Sequence, residues 1–485
     1  MSTSFSRCST PRLILLWKAW WQAVQSLRPA CRRSLTFLWL ATTLAALCLR
    51  PDLAGVTSLV RSLGLADGCY HRLLHFFHSA ALPVSTLTAC WLQTVRRLLA
   101  HRFVRIQGRP VVIVDGLKRP KEGRKMPAVK CLHQESTCNA KAPFIMGHSC
   151  QVAVVLVQAF GTCLGLPIAS RIHEGLVWSN RHRRSLLTKL SHLLLGLDWT
   201  EPITVVADAY YAAGHFAASL LQHGHHLVTR VRSNAVAYYS PKSPRQRRRG
   251  RPRLYGAKTR LKDWFRLKAR FQSALSPLYD DRQVTIRYYT RDLIWRPLGH
   301  FVRFVWVIHP TRGKLILMTT DLAMGPLEVI RLYGWRFKIE SGFKQAIHTV
   351  GAYAYHFWMR AMTPIHRGSG NQYLHRKTDT YRQQVRRKLA AYERHIQIGL
   401  IAQGLLQYLA LSFPHAVWRN FASYLRTADT NKAPSEWVVA MALRNTWHDF
   451  LRFSSHTFAF KKFLSSRIDP TRSRNHEAFE LDHAA

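Results

Sequence analysis

The sequence predicts an α/β protein: a core of alternating strands and helices carrying an inserted β-rich subdomain, with helical segments at both ends. Three observations predict it. Short β-branched runs alternate with helical stretches between residues 105 and 234. After a six-arginine cluster within residues 245–253 come strand-like runs with no long helix between the last two. Helical spacing of apolar residues governs both ends of the chain.

In order, residues 1–50 hold no carboxylate, and Trp17, Trp20, Trp21, Val24 and Leu27 recur at helical spacings beside Lys18, Arg28, Arg32 and Arg33. This is a basic helical segment. Its apolar run, Ser34 to Leu49, is bounded by Arg33 and Arg50 and is shorter than the ~20 residues of a membrane span. It reads as a buried helix. Residues 51–104 read as a helical DNA-binding domain, because Leu59, Val60 and Leu63, then Gly64 to Gly68, then Tyr70, Leu73, Leu74 and Phe77 spell helix, break, helix. Any αα-hairpin spells the same. Residues 105–234 form the first part of the core, with strands at Pro110–Val114, two within Phe144–Ser170, then Ile203–Ala207 and His226–Val231. Helices are expected from about Arg181 to Leu195 and Ala212 to Gln222. Residues 235–321 form the β-rich insertion, with strands near Gln283–Tyr289, Phe301–His309 and Lys314–Thr320. Residues 322–415 return to the core through one helix around Leu332–Phe343, broken later by a mobile basic loop at His366–Tyr381, and residues 416–485 close the chain with helices.

Lysine and arginine total 71 against 25 aspartate and glutamate, a formal charge of +46, while 47% of residues are apolar. The apolar share excludes a disordered tail, and the charge argues against a free metabolic enzyme. Duplex DNA, with a charge every ~1.7 Å of axis, is the expected counter-ion rather than a membrane. The nine cysteines are scattered with no Cys-x2-Cys pair, so reduced thiols in the cytoplasm are expected, with neither disulfide framework nor zinc module. No secretory signal is recognised.

With carboxylates so scarce, their positions matter. Asp115 follows Val111–Val114 directly and Asp208 follows Ile203–Ala207 directly. Each is expected to end a buried strand, where a carboxylate is costly unless it holds a cation or caps the next turn. Hard cations need several oxygen ligands, so a third carboxylate is expected, from Glu174, Asp321 or Glu340. Helical geometry favours Glu340. At ~100° per residue Tyr333, Arg336, Glu340 and Lys344 share a face beside the apolar stripe Leu332, Trp335, Ile339 and Phe343. Simple i,i+4 pairing of Arg336, Glu340 and Lys344 is the competing account.

Asp115 after its apolar strand, Asp208 within Val-Val-Ala-Asp-Ala-Tyr-Tyr, and Tyr333-x2-Arg336-x3-Glu340 together resemble the DDE transposases of bacterial insertion sequences, over about residues 55–410. The resemblance implies an RNase H-like catalytic core, with Asp115, Asp208 and Glu340 as catalytic residues and ligands of Mg2+, Mn2+ being a substitute. It implies that Tyr333, Arg336 and Lys344 touch DNA phosphates. It further implies double-stranded element ends and target DNA as partners, a homodimer that cuts two ends together, and a cytoplasmic, nucleoid-associated protein. The lysine usual seven residues after the glutamate is Ile347 here, and Lys344 on the same face is the substitute. Two alternatives remain: a catalytically degenerate DNA-binding protein with this fold, and an RNase H-like nuclease without strand transfer.

Arg247, Arg249 and Arg251 are further DNA-binding candidates, because Arg249-Gly250-Arg251-Pro252 has the form of a minor-groove hook. Trp295 and Trp306 are expected to pack in a core, with stacking on an unpaired base as the other role. His148, His173 and His215 read as structural, since no HExxH spacing occurs.

Overall fold

A computed structural model describes residues 14–134, 142–181, 184–241, 253–279, 281–422, 429–453 and 457–471. Arg247, Arg249 and Arg251 lie outside the described residues. The chain begins with five helices, α1 (Leu15–Gln25), α2 (Ser34–Leu49), α3 (Gly55–Ser62), α4 (Cys69–His78) and α5 (Val84–Leu99). Strands β1 (Arg105–Ile106), β2 (Arg109–Pro120), β3 (Lys130–His133), β4 (Phe144–Ala159), β5 (Thr162–Ile172) and β6 (Leu176–Val177) follow. Next come α6 (Leu186–Leu195), β7 (Thr204–Ala207), α7 (Gly214–Leu221) and β8 (His226–Val231). The insertion supplies β9 (Val236–Tyr238), β10 (Lys258–Arg260), β11 (Gln272–Leu275), β12 (Thr285–Trp295), β13 (His300–His309) and β14 (Gly313–Thr319). The chain then forms α8 (Pro326–Trp335), α9 (Lys338–Gln345), β15 (Gln372–Tyr373), α10 (Asp379–Ser412), α11 (Pro414–Phe421), α12 (Glu436–Asn445), α13 (Trp447–Phe453) and α14 (Phe458–Ser465).

One mixed sheet organises these parts. Its path runs β10-β9-β12-β13-β14-β8-β7-β2-β4-β3, with β1 on β2, β5 on β4 and β11 on β12. β2 and β7 are parallel, as are β7 and β8, while β2, β4 and β5 are antiparallel. The insertion joins through β14, antiparallel to β8, so its strands extend the core sheet instead of forming a separate layer. β-branched residues explain the interior: Val111, Val112, Ile113 and Val114 are each fully buried, matching a strand covered on both faces.

Helices cover the sheet. α10 packs on β5, α2, α5 and α4, and residues from Ala391 to Leu411 along it are largely buried. Gly404 lets it close on α5, since a Cβ there would lie 2.3 Å from the Trp91 ring. α2 is buried on most of its surface, as a helix with apolar residues all round should be. Among the described helices none alone is long and apolar enough to cross a membrane; α10 and α11 satisfy length and composition only as a pair bent by 102°. The tryptophans of α1 are core: Trp17 stacks on Phe450 and Trp21 on Phe460, so the two ends of the chain pack together. The described cysteines are free.

Three expectations need correction. Asp115 does not end its strand, because β2 continues through Pro120 paired with β4. The Leu332–Phe343 helix is two pieces, α8 and α9, since Arg336 and Phe337 donate three residues back, to Tyr333 and Gly334, tightening the chain between them. Residues 366–381 are not a free loop: Gln372 donates to Gly175 O at 2.8 Å, β15 lies parallel to β6, and α10 already begins at Asp379.

Buried imidazoles give the fold an acid limit. Burial pushes His148, His173 and His395 down to about 3, with nearby cations adding to the shift. Below their unfolded value of about 6.5 the unfolded chain binds protons first, so stability present at neutral pH is lost as pH falls. Melting should therefore drop steadily from pH 7 to pH 4, each histidine contributing up to about 1.4 kcal/mol per pH unit. His148→Gln should flatten that drop in thermal-unfolding scans.

Candidate active site

The parallel pairing of β2 and β7 builds the site. Val111–Ile113 lie against Thr204–Val206, and the pairing stops there. Asp208 is the first residue beyond β7, and Asp115 lies two residues past the paired stretch of β2. Their carboxylates therefore emerge at the same, carboxyl-terminal edge. Asp208 caps the turn at 209–211 by accepting from Tyr210 N at 2.9 Å, and its carbonyl accepts from Thr229 Oγ1 at 2.6 Å. The capping role foreseen for a strand-end aspartate is thus real, and it leaves the second carboxylate oxygen available.

The third carboxylate arrives from α9. Arg336, in the tight turn before it, donates Nη1 to Asp115 Oδ2 at 2.9 Å and Nη2 to Glu340 Oε1 at 3.0 Å. One guanidinium thus spans the core sheet and the helix. Asp115 also accepts from Gly116 N at 2.8 Å. Burial, with the negative charges of Asp208 and Glu340, raises the Asp115 carboxyl to about 6 despite Arg336 and that amide. Burial alone would lower Arg336, but Asp115, Tyr333, Glu340 and Asp208 outweigh it and keep the guanidinium charged.

Tyr333 sits with its ring centroid 6.0 Å from the Arg336 guanidinium, and burial holds its hydroxyl protonated. Lys344 is exposed in the last turn of α9, one turn beyond Glu340. Ile347 packs partly buried against the core and offers no charge. A cavity of about 300 Å³ lies beside the site, lined by Leu278, Tyr279, His309, Tyr333, Arg336 and Phe337.

The other carboxylates are elsewhere. Asp321 pairs with Arg109 at the start of β2, the far end from Asp115, and Glu174 pairs with Lys130 at 3.3 Å. Trp295 and Trp306 are buried, Trp306 donating to Leu261 O at 2.7 Å, so both are core residues. His148 bonds Tyr355 and Pro127, His173 bonds Gln151, and His215 is exposed on α7. Tyr211 was missed by sequence reasoning. It is buried with its hydroxyl facing Gly116, and burial together with Asp115 and Asp208 keeps that hydroxyl protonated. The only signal was its place three residues after Asp208.

Among the described residues no three carboxylate, histidine or cysteine side chains close to metal-ligand spacing. The Arg336 guanidinium stands between Asp115 and Glu340 instead. The donor set nevertheless fits a hard divalent cation: all the donors are carboxylate oxygens, and Asp115, raised chiefly by burial, also feels the charges of Asp208 and Glu340.

A family model described as DDE superfamily endonuclease matches residues 26–292, more than half of the chain. The chain belongs to the DDE superfamily endonucleases. The match includes Asp115 and Asp208 and stops short of Glu340. The fold of this DDE endonuclease is RNase H-like, a mixed sheet with flanking helices. Among solved structures it is similar to a piggyBac transposase synaptic complex with hairpin DNA, at 11% identity and a TM-score of 0.33, over 96% of this chain and 87% of that one. No curated protein matches.

The Asp115–Arg336 pair of the DDE endonuclease should be energetically engaged. A double-mutant cycle of Asp115→Asn and Arg336→Gln, read by urea unfolding without divalent cations, should give a coupling of about 1–3 kcal/mol. Additive losses would show the two groups to be independent.

Proposed function

We propose that this endonuclease is the transposase of a bacterial insertion sequence, cutting phosphodiesters at the element ends and joining the freed 3′-hydroxyl to target DNA. The observation that carries this reading is the meeting of Asp115 and Glu340 on Arg336, with Asp208 at the same sheet edge. Asp115, Asp208 and Glu340 would hold Mg2+, or Mn2+ in its place, which when bound supplies Lewis-acid charge and a more acidic water.

The chain's own residues do the rest. Arg336, which reaches both Asp115 and Glu340, carries a planar fork of donors whose geometry also suits a phosphate. Tyr333 keeps its proton and so donates to a phosphate oxygen without adding charge. Lys344 supplies an exposed positive charge one turn away. Arg247, Arg249 and Arg251 would track the DNA backbone, and the α3–α4 hairpin exposes His71, Arg72 and His75 to a duplex. Two ends must be cut together, which calls for a homodimer on DNA in the nucleoid.

Ile347 favours a second reading, a DNA-binding protein that has kept the fold but lost the chemistry, because the usual lysine is absent there, and Mg2+-dependent nicking discriminates the two. A nuclease that cuts without strand transfer would use the same acidic site, and precut ends supplied with an acceptor plasmid set it apart, since only a transposase joins them.

A supercoiled plasmid carrying the flanking element ends should be cut with Mg2+ by the wild type. Asp208→Ala should cut at least about 10³-fold more slowly while retaining DNA affinity. Mg2+ or Ca2+ should raise the melting temperature of the wild type but not of Asp208→Ala, a readout independent of activity. Cutting by the variant at the wild-type rate would remove Asp208 from the site.

A further inference from the structure

Between Gly351 and Arg387 the chain has seven arginines and lysines and one carboxylate, Asp379. This segment is firmly attached. Met359 N donates to Lys125 O at 2.9 Å, Ile365 N to Arg124 O at 2.8 Å, and Cys131 N to Ser369 O at 2.7 Å. It has its own apolar cluster of Met359, Met362, Leu374 and Val385, against which Leu176 and Trp178 pack. The result is a small satellite cluster beside the main core, built from residues 174–178 and 359–385, with Leu176 and Ile365 packing against both.

Its surface is basic and aromatic. Arg360, Arg367, Arg376, Lys377, Arg386 and Arg387 are exposed, and among the described residues no carboxylate pairs with any of them. The Arg386 guanidinium lies 4.8 Å from the Trp178 ring centroid and that of Arg376 5.7 Å from Tyr373. Trp358 is 65% exposed. A cleft of about 410 Å³ opens beside Trp178, lined by His173, Glu174, Arg184, Lys189 and Asn371 among others. A surface that serves solubility alone intersperses both signs of charge; this one carries six exposed cations, while its carboxylates Asp379 and Glu174 are paired with other cations, Arg382 and Lys130.

Register locates the strand end from which the chain enters it. Ile172, the end of β5, is opposite Cys150, which is opposite Leu117, two residues beyond Asp115. Two residues of strand and two strand spacings amount to about 7 and 10 Å, or about 12 Å in all.

We propose that this satellite is a second docking surface for duplex DNA, holding backbone phosphates outside the cutting centre. The proposal rests on the DNA-cutting function inferred above. Six unpaired cations match a polyanion, the pinned backbone presents them without an ordering cost, and the exposed aromatic rings offer apolar contact to sugars.

The test uses the full chain and a random-sequence duplex about four turns long, with Ca2+ present and salt varied. Replacing Arg376, Lys377 and Arg386 together by glutamine should reduce the slope of log affinity against log salt by about 2–3 and weaken binding about 10²-fold at moderate salt. Arg376→Lys with Arg386→Lys should keep most of the slope, and melting of every variant should match the wild type. Unchanged slope and affinity in the glutamine variant would overturn the proposal. So would a loss confined to anionic phosphatidylserine vesicles, which would mark a lipid surface. A reduced slope in a protein that cuts nothing with Mg2+ would leave the docking surface standing and reject the cutting function; normal cutting with an unchanged slope would do the reverse.

Discussion

Carboxylates gathered in a half-buried place repel one another, and here a single guanidinium offsets that repulsion. Arg336 reaches Asp115 on the sheet with one nitrogen and Glu340 on α9 with another. Without that cation Asp115, already raised to about 6 by burial and by its acidic neighbours, would be driven further toward its neutral form. The site's geometry thus depends on the turn that carries Arg336. That turn sits where α8 and α9 meet, and Gly334 within it admits Leu278 of the insertion, since a Cβ there would lie 2.2 Å from the leucine. Insertion, helix and core sheet are joined at the residue that organises the acids.

The same scarcity of acids shapes the interior. A chain with 71 lysines and arginines against 25 carboxylates has few ion partners for cations that become buried. It uses backbone carbonyls. Arg50 donates to Val350 and Gly351, Arg394 to Leu82 and Phe77, and Lys121 to Tyr353 and Tyr355. Burial lowers Arg50 and Arg394 to about 10 and Lys121 to about 7. Arg50 deserves its cost because it ties the end of α2 to Gly351, whose positive φ ends the helical stretch after α9. The N-terminal helices are thereby fastened to the segment that follows Glu340.

Much of this was legible beforehand. Val111–Val114 and Ile203–Ala207 read as buried strands because β-branched runs with no polar break suit a sheet covered on both faces. Rarity made Asp115 and Asp208 conspicuous, and helical spacing singled out Arg336 and Glu340. Other features were not legible. Asp115 is mid-strand because β4 continues to pair after β7 has stopped, and a partner's length is not written in the strand's own residues. The basic stretch at 366–381 looked mobile because its polar composition hides the backbone bonds that tie Ser369 to Cys131 and Gln372 to Gly175.

What the sequence determined by itself was local: strand and helix identity, the strong positive charge, and the few acidic positions, all consequences of side-chain shape, period and composition. What only the tertiary structure decided was which of those acids meet. Asp321 and Glu174 were as plausible as Glu340 by residue type, yet the sheet order carries Asp321 to Arg109 and Glu174 to Lys130. The turn at Arg336 instead brings Glu340 onto the guanidinium that also holds Asp115. Convergence of residues more than a hundred positions apart is a property of packing, because the attraction between them exists only once the sheet has brought their elements together.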